Sequence, residues 1–171
     1  MNLKNNLIKP KFFIPDPWTK TNSDKNWWSK KLHEVLYQVV NDNASSKIKL
    51  SNIIYLFLAM IKFAKIKNYH SYIYLALTSL SGKQWRKALF LDLFLADVYI
   101  YYINKHKPSY ASLFLNGGAH IQHHYFFNSK LMNTKQNPSW YVKSNYDPVL
   151  DMLKIYNMIL GGIFELKIPF I

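Results

Sequence analysis

The chain has 171 residues, of which half are hydrophobic, 17% aromatic and 18% charged, too apolar for a disordered tail and long enough to bury one core. It contains no cysteine, which excludes a disulfide scaffold, a thiol nucleophile and any thiolate metal site, so a metal would have to be held by His, Asp or Glu. The net charge of +13 comes from 22 basic residues against 9 acidic ones. All the basic residues except Arg86 are lysines, scattered from Lys4 to Lys167, a pattern closer to A/T-rich coding than to the arginine-dense footprint of a nucleic-acid site.

Residues 1–22 read as an extended N-terminal segment, because Pro10, Pro15 and Pro17 remove amide donors and bias their predecessors away from helix. Residues 1–10 (MNLKNNLIKP) carry no apolar stretch of the kind a secretory signal needs, so the expected location is cytoplasmic. A helical region is predicted over 23–106. Ser23 or Asp24 is placed to cap a first helix carrying Trp27, Trp28, Leu32, Val35, Leu36 and Val39. Ser51 is placed to cap a second, through Ile54, Phe57, Met60 and Ile61, and a third spans 72–80. Ser81-Gly82 breaks the pattern, and residues 83–105 then run without Gly or Pro as one long helix. The windows 53–63 and 88–103 are interrupted by Lys62, Asp92 and Asp97 and fall short of the ~18 uncharged residues of a membrane span, so they read as buried helices.

The remaining third, 107–171, reads as a partial α/β core. Residues 110–115 (YASLFL), between Pro108 and Asn116-Gly117-Gly118, fit a short buried strand. A histidine loop follows. Asp147-Pro148 then gives an N-cap and a proline at the first helical position, with Val149, Met152, Leu153, Tyr156 and Leu160 at helical spacing and Gly161-Gly162 as the stop. Residues 163–171 (IFELKIPFI) read as a closing strand. The predicted fold class is therefore α/β: a mostly helical first two thirds acting as a cap or insertion, then strand, histidine loop, helix and strand of an incomplete parallel sheet.

The sharpest chemical signal is the run 119–125 (AHIQHHY), which holds three of the six histidines. Histidines three or four positions apart share one face of a helical turn, so two imidazoles can reach one metal, whereas the bland reading stacks the rings on Tyr125, Phe126 and Phe127. No acid lies between Asp97 and Asp147, so a three-ligand site is not visible. Asp92 and Asp97 stand about 140° apart around their helix and each reads as structural. No P-loop, Gly-x-Ser-x-Gly or His-Glu-x-x-His string occurs.

Residues 107–127 (KPSYASLFLNGGAHIQHHYFF) resemble the strand and loop of the alkaline-phosphatase-like superfamily, in its branch of type I phosphodiesterase and nucleotide pyrophosphatase proteins. There, a strand opening Lys-Pro-Asp precedes an Asp-x-x-x-His metal motif. Residues 13–19 (FIPDPWT), 41–44 (NDNA), 137–141 and 147–159 are similar to flanking segments of uncharacterised members. The resemblance implies two bound metal ions, usually zinc, and a Thr or Ser nucleophile that hydrolyses phosphate or sulfate esters. His123 matches the motif histidine, the acidic position is Ala119, and Asn116 or His120 is placed to substitute. The nucleophile and the other ligands fall outside these residues. The implied function is thus a partial metallohydrolase domain related to phosphoester hydrolysis, inactive alone, with His123, His120 and Asn116 as metal ligands and the missing parts of the domain or a second chain as its partner. The alternative is a non-catalytic basic helical module that binds an acidic protein or nucleic acid.

Overall fold

The computed structural model describes residues 10–17, 19, 21–41, 49–130, 132 and 136–166, and they divide into two compact units, 1–64 and 65–171. Six α-helices form among the described residues: α1 (Trp27–Asn41), α2 (Leu50–Phe63), α3 (Tyr69–Leu80), α4 (Trp85–His106), α5 (Gly117–Tyr125) and α6 (Pro148–Phe164). Among the described residues there is no strand, so the α/β class and its parallel sheet are corrected to an all-helical architecture. No helix among them is long and apolar enough to cross a membrane.

In the first unit the Asp24 carboxylate accepts the amides of Phe13 (2.5 Å) and Asn26 (2.7 Å), folding the proline-rich segment back onto the start of α1. The cap itself is Asn26, whose side-chain oxygen accepts the Trp28 amide at 2.9 Å while its carbonyl accepts Lys30. Leu32, Val35 and Leu36 of α1 are buried, as are Ala59 and Phe63 of α2. Trp28 meets Phe63 edge-on at 5.3 Å near one end of the pair. At the other, the Gln38 side chain accepts both the Lys49 amide and the Asn52 side chain, so α1 and α2 run antiparallel. The sequence places α2 inside the protein; instead Leu50, Ile53, Ile54, Phe57 and Ile61 are exposed and its buried residues are Asn52, Ala59 and Phe63.

The second unit is built around α4, which α3, α5 and α6 surround. Leu89, Leu93, Phe94, Val98, Ile100 and Ile103 are buried on it, a burial on several sides that matches its weak amphipathic periodicity. Gly82, at φ 89°, makes the turn between α3 and α4 that a side chain would resist. Asp97, 2% exposed, accepts the Lys65 amide (2.8 Å), the Asn68 side chain (2.9 Å) and the Tyr72 hydroxyl (2.8 Å), tying the single turn Ile66–Asn68 and α3 to α4. On α6, Asp147 accepts the Leu150 amide at 2.9 Å and Pro148 occupies the first turn, as the sequence predicts. Asp151 receives Trp85 Nε1 and both Arg86 Nε and Nη2, at 3.0, 2.9 and 2.7 Å.

Two strand expectations fail for physical reasons. Gly161-Gly162 does not stop α6, because Gly162 is buried against Ile100 of α4 and the helix continues to Phe164. Glu165 and Leu166 follow in a turn, and 167–171 lie outside the described residues. Residues 110–115 are neither paired nor buried: Tyr110 is 75% and Phe114 69% exposed. Between the end of α4 and Asp92, whose carboxylate the start of α5 meets, lie 14 helical residues, or about 21 Å. Residues 107–116 cover that distance on the way back as irregular chain, so their strand-like composition has no strand to pair with.

Lys107 ends α4 in the left-handed region (φ 43°, ψ 57°), its amide bonding the Ile103 carbonyl at 2.8 Å, directly before Pro108. A side chain is disfavoured there, and still more before proline. Lys107→Gly is expected to stabilise the protein by about 1 kcal/mol in a urea titration followed by circular dichroism; a loss of stability would contradict this reading of the α4 terminus.

Candidate functional site

The histidine run is a helix, not the loop that the glycine pair suggests. The residues GGAHIQHHY have a poor start for an isolated helix, since two glycines carry the full backbone entropy cost, and its unpaired first amides need partners. Those partners come from other helices. Gly118 N donates to the Tyr156 hydroxyl of α6 at 2.8 Å, and that hydroxyl donates to Asp92 Oδ2 of α4, also at 2.8 Å. The Asp92 carboxyl, 3% exposed, lies against the α5 start, where a helix N-terminus favours negative charge. Burial raises its pKa above the usual carboxylate range, opposed by the Tyr156 hydroxyl and by the amides of Gly117, Asn116 and Gly118. Burial and the adjacent carboxyl together push the Tyr156 phenol up, so it stays a donor.

The glycine pair is explained by close approach. A Cβ on Gly117 would lie 2.5 Å from Asp92 Oδ2 and 3.1 Å from the Ala88 carbonyl; one on Gly118 would lie 2.6 Å from the Tyr156 oxygen. Ile121 and Tyr125 continue this inner face and are buried. Tyr125 stacks on Tyr141 at 5.6 Å and meets Trp85 at 5.5 Å, which fixes the far end of α5.

The outer face carries His120, His123 and His124, all exposed. Asn116 immediately precedes α5 in a near-helical conformation and its carbonyl accepts the His120 amide at 3.1 Å. At 100° per residue, Asn116, His120, His123 and His124 fall within one sector of about 100°. The rings brought into contact are those of His120 and His124, with centroids 4.6 Å apart. His124 Nδ1 is 3.3 Å from the Tyr141 hydroxyl, and the His124 carbonyl accepts Asn137 Nδ2 at 3.1 Å. Burial, then His124 and His123, lower the His120 pKa, which favours its neutral imidazole form.

No group of three His, Asp or Glu side chains forms a metal cluster among the described residues. The reason lies in the acids. Every carboxylate of residues 65–166 is engaged in the structure: Asp92 at the α5 start, Asp97 on α3, Asp147 as the α6 cap, Asp151 on Arg86, and Glu165 with Lys67 at 2.6 Å. The 140° separation of Asp92 and Asp97 sends one toward α5 and α6 and the other toward α3, as their spacing predicts. A shallow cavity of about 160 Å³ borders Lys83, Arg86, Lys130, Asp147 and Asp151. Its arginine is taken up by Asp151 and lies 4.6 Å from the Tyr74 ring, so it reads as structural.

Sequence reasoning singled out the histidines but missed the Asp92–Tyr156 clamp and Tyr141. Asp92 and Gly117 stand 25 positions apart and Gly118 and Tyr156 38 apart, beyond the reach of local spacing. Compared with known family models, curated proteins and solved structures, the chain matches none.

Proposed function

We propose that the chain is a helical part of a metal-dependent phosphoester hydrolase of the alkaline-phosphatase-like kind, inactive alone and completed by a second polypeptide. The observation that carries this reading is the exposed histidine face of α5, held against α4 and α6 by a buried carboxylate and phenol. Imidazoles fixed on a helix are suited to hold zinc, which would supply Lewis-acid stabilisation of a phosphoryl oxygen. The carboxylate ligands and the hydroxyl nucleophile must come from the partner, because the acids beside α5 are already engaged. Exposed apolar residues on single helices, Ile73, Leu77 and Leu80 on α3 and Leu153, Leu160 and Phe164 on α6, give such a partner surface to cover.

The test is co-expression with the polypeptides encoded on either side of the gene, followed by hydrolysis of bis-(4-nitrophenyl) phosphate. The isolated chain is expected to give no turnover, and the combined chains a turnover that chelation removes. Equal activity of the chain alone, or none in any combination, overturns the proposal. The second reading, a non-catalytic basic module, is favoured by the all-helical architecture and the +13 charge; binding of RNA or DNA at low salt that weakens steeply as salt rises would select it.

A further inference from the structure

We propose that His120 and His124 form a two-imidazole site for a borderline divalent transition ion of the zinc, nickel or copper type, with Tyr141 orienting His124. This deepens the hydrolase reading above by naming the pair that takes the ion, and it rests on that reading only for what the bound ion would do. The two residues stand one turn apart, the i,i+4 spacing with which a helix brings two imidazoles to a single metal. Their rings are already in contact, with centroids 4.6 Å apart, on an exposed face that an ion can reach from solvent.

His123 sits on the other side of His120. From His120 the helix turns +40° to His124 and −60° to His123, and the ring contact is the one to His124. The second observation is the neighbour of His124. The Tyr141 hydroxyl lies 3.3 Å from Nδ1, leaving Nε2 for the ion. With metal on Nε2 the proton resides on Nδ1, where the phenol oxygen accepts it, the outer-shell arrangement that fixes a ligating imidazole's tautomer and ring plane. Tyr141 is itself held by its stack on Tyr125, and the α5 backbone by Asn137 on the His124 carbonyl. Two imidazoles leave coordination positions for water or an exchangeable oxygen ligand, and the all-nitrogen donor set favours zinc, nickel and copper over magnesium or calcium.

The test is calorimetric titration of the purified chain with zinc chloride and nickel chloride at pH 7.5, with circular dichroism confirming the fold of each variant. One ion per chain is expected. His120→Ala and His124→Ala should each weaken binding about tenfold or more, Tyr141→Phe by about tenfold, and His123→Ala by less than twofold. A larger loss from His123→Ala than from His124→Ala overturns the pair while leaving the hydrolase reading intact, since that reading is decided by turnover with the partner chains. No binding of either ion overturns the pair outright, and binding unaffected by His120→Ala and His124→Ala does the same.

Discussion

Asp97→Ala is expected to destabilise the protein by about 3–5 kcal/mol, the largest effect of any single substitution considered. The carboxylate is 2% exposed and gathers donors from three places: the Lys65 amide, the Asn68 side chain and the Tyr72 hydroxyl. Alanine would leave all three without an acceptor, and a buried donor left unsatisfied costs about 1–3 kcal/mol. Water entering the vacated space offsets part of that sum. Tyr72→Phe removes one donor together with its hydrogen bond and should cost about 1 kcal/mol. Urea unfolding followed by circular dichroism measures both; an Asp97→Ala loss below that of Tyr72→Phe would mean that Asp97 does not organise α3 on α4.

Gly117→Ala should displace α5, at a net cost of about 1–3 kcal/mol. Its Cβ would stand 2.5 Å from Asp92 Oδ2 and 3.1 Å from the Ala88 carbonyl, and a backbone oxygen inside α4 has nowhere to go. Gly117 is the first residue of α5, so the gain of about 1 kcal/mol that alanine brings to a helix interior applies only in part and offsets little of the clash. Gly161→Ala is the internal control: nothing lies within 4 Å of its added Cβ, and α6 is helical there. That variant should be more stable by about 0.5–1 kcal/mol. Amide hydrogen exchange resolves the two cases, with faster exchange in α5 for Gly117→Ala and unchanged α5 exchange for Gly161→Ala. Unchanged α5 protection in Gly117→Ala would contradict the clamp.

These effects mark where the sequence was readable. The first four helices and the last follow from local periodicity and breaks: Asp147 and Pro148 start α6, Ser81-Gly82 separates α3 from α4, and the run without Gly or Pro is α4. Asn26 rather than Ser23 or Asp24 caps α1, however, and Ser51 lies inside α2, which starts at Leu50 without a side-chain cap. Three features are not local. Residues 110–115 have a strand's composition, but a strand is defined by its neighbour, and none exists among the described residues. Gly161-Gly162 looks like a stop, yet α6 continues where Gly162 meets Ile100. Gly117-Gly118 looks like a turn and instead starts a helix, because Asp92 and Tyr156 arrive from distant positions to receive its amides.

The candidate site divides in the same way. Three clustered histidines are visible in the sequence, and helical spacing alone puts His120, His123 and Asn116 on one side of α5. Which two rings meet depends on the helix being formed and on Tyr141, 17 positions beyond His124. The carboxylates are the clearest case of chemistry decided by tertiary structure. Asp97 and Asp147 are the acids that flank the histidine run in sequence, and the structure uses the first to hold α3 on α4 and the second to cap α6.

The central claim is that the chemistry of this chain resides in imidazoles on the outer face of α5, with its carboxylates held in structural roles. Anomalous diffraction from a zinc-soaked crystal tests it most directly. The account predicts one zinc with His120 and His124 nitrogens at about 2.0–2.1 Å and no carboxylate ligand from residues 65–166; a zinc bound through Asp92 or Asp147, or through His123 without His124, would contradict it.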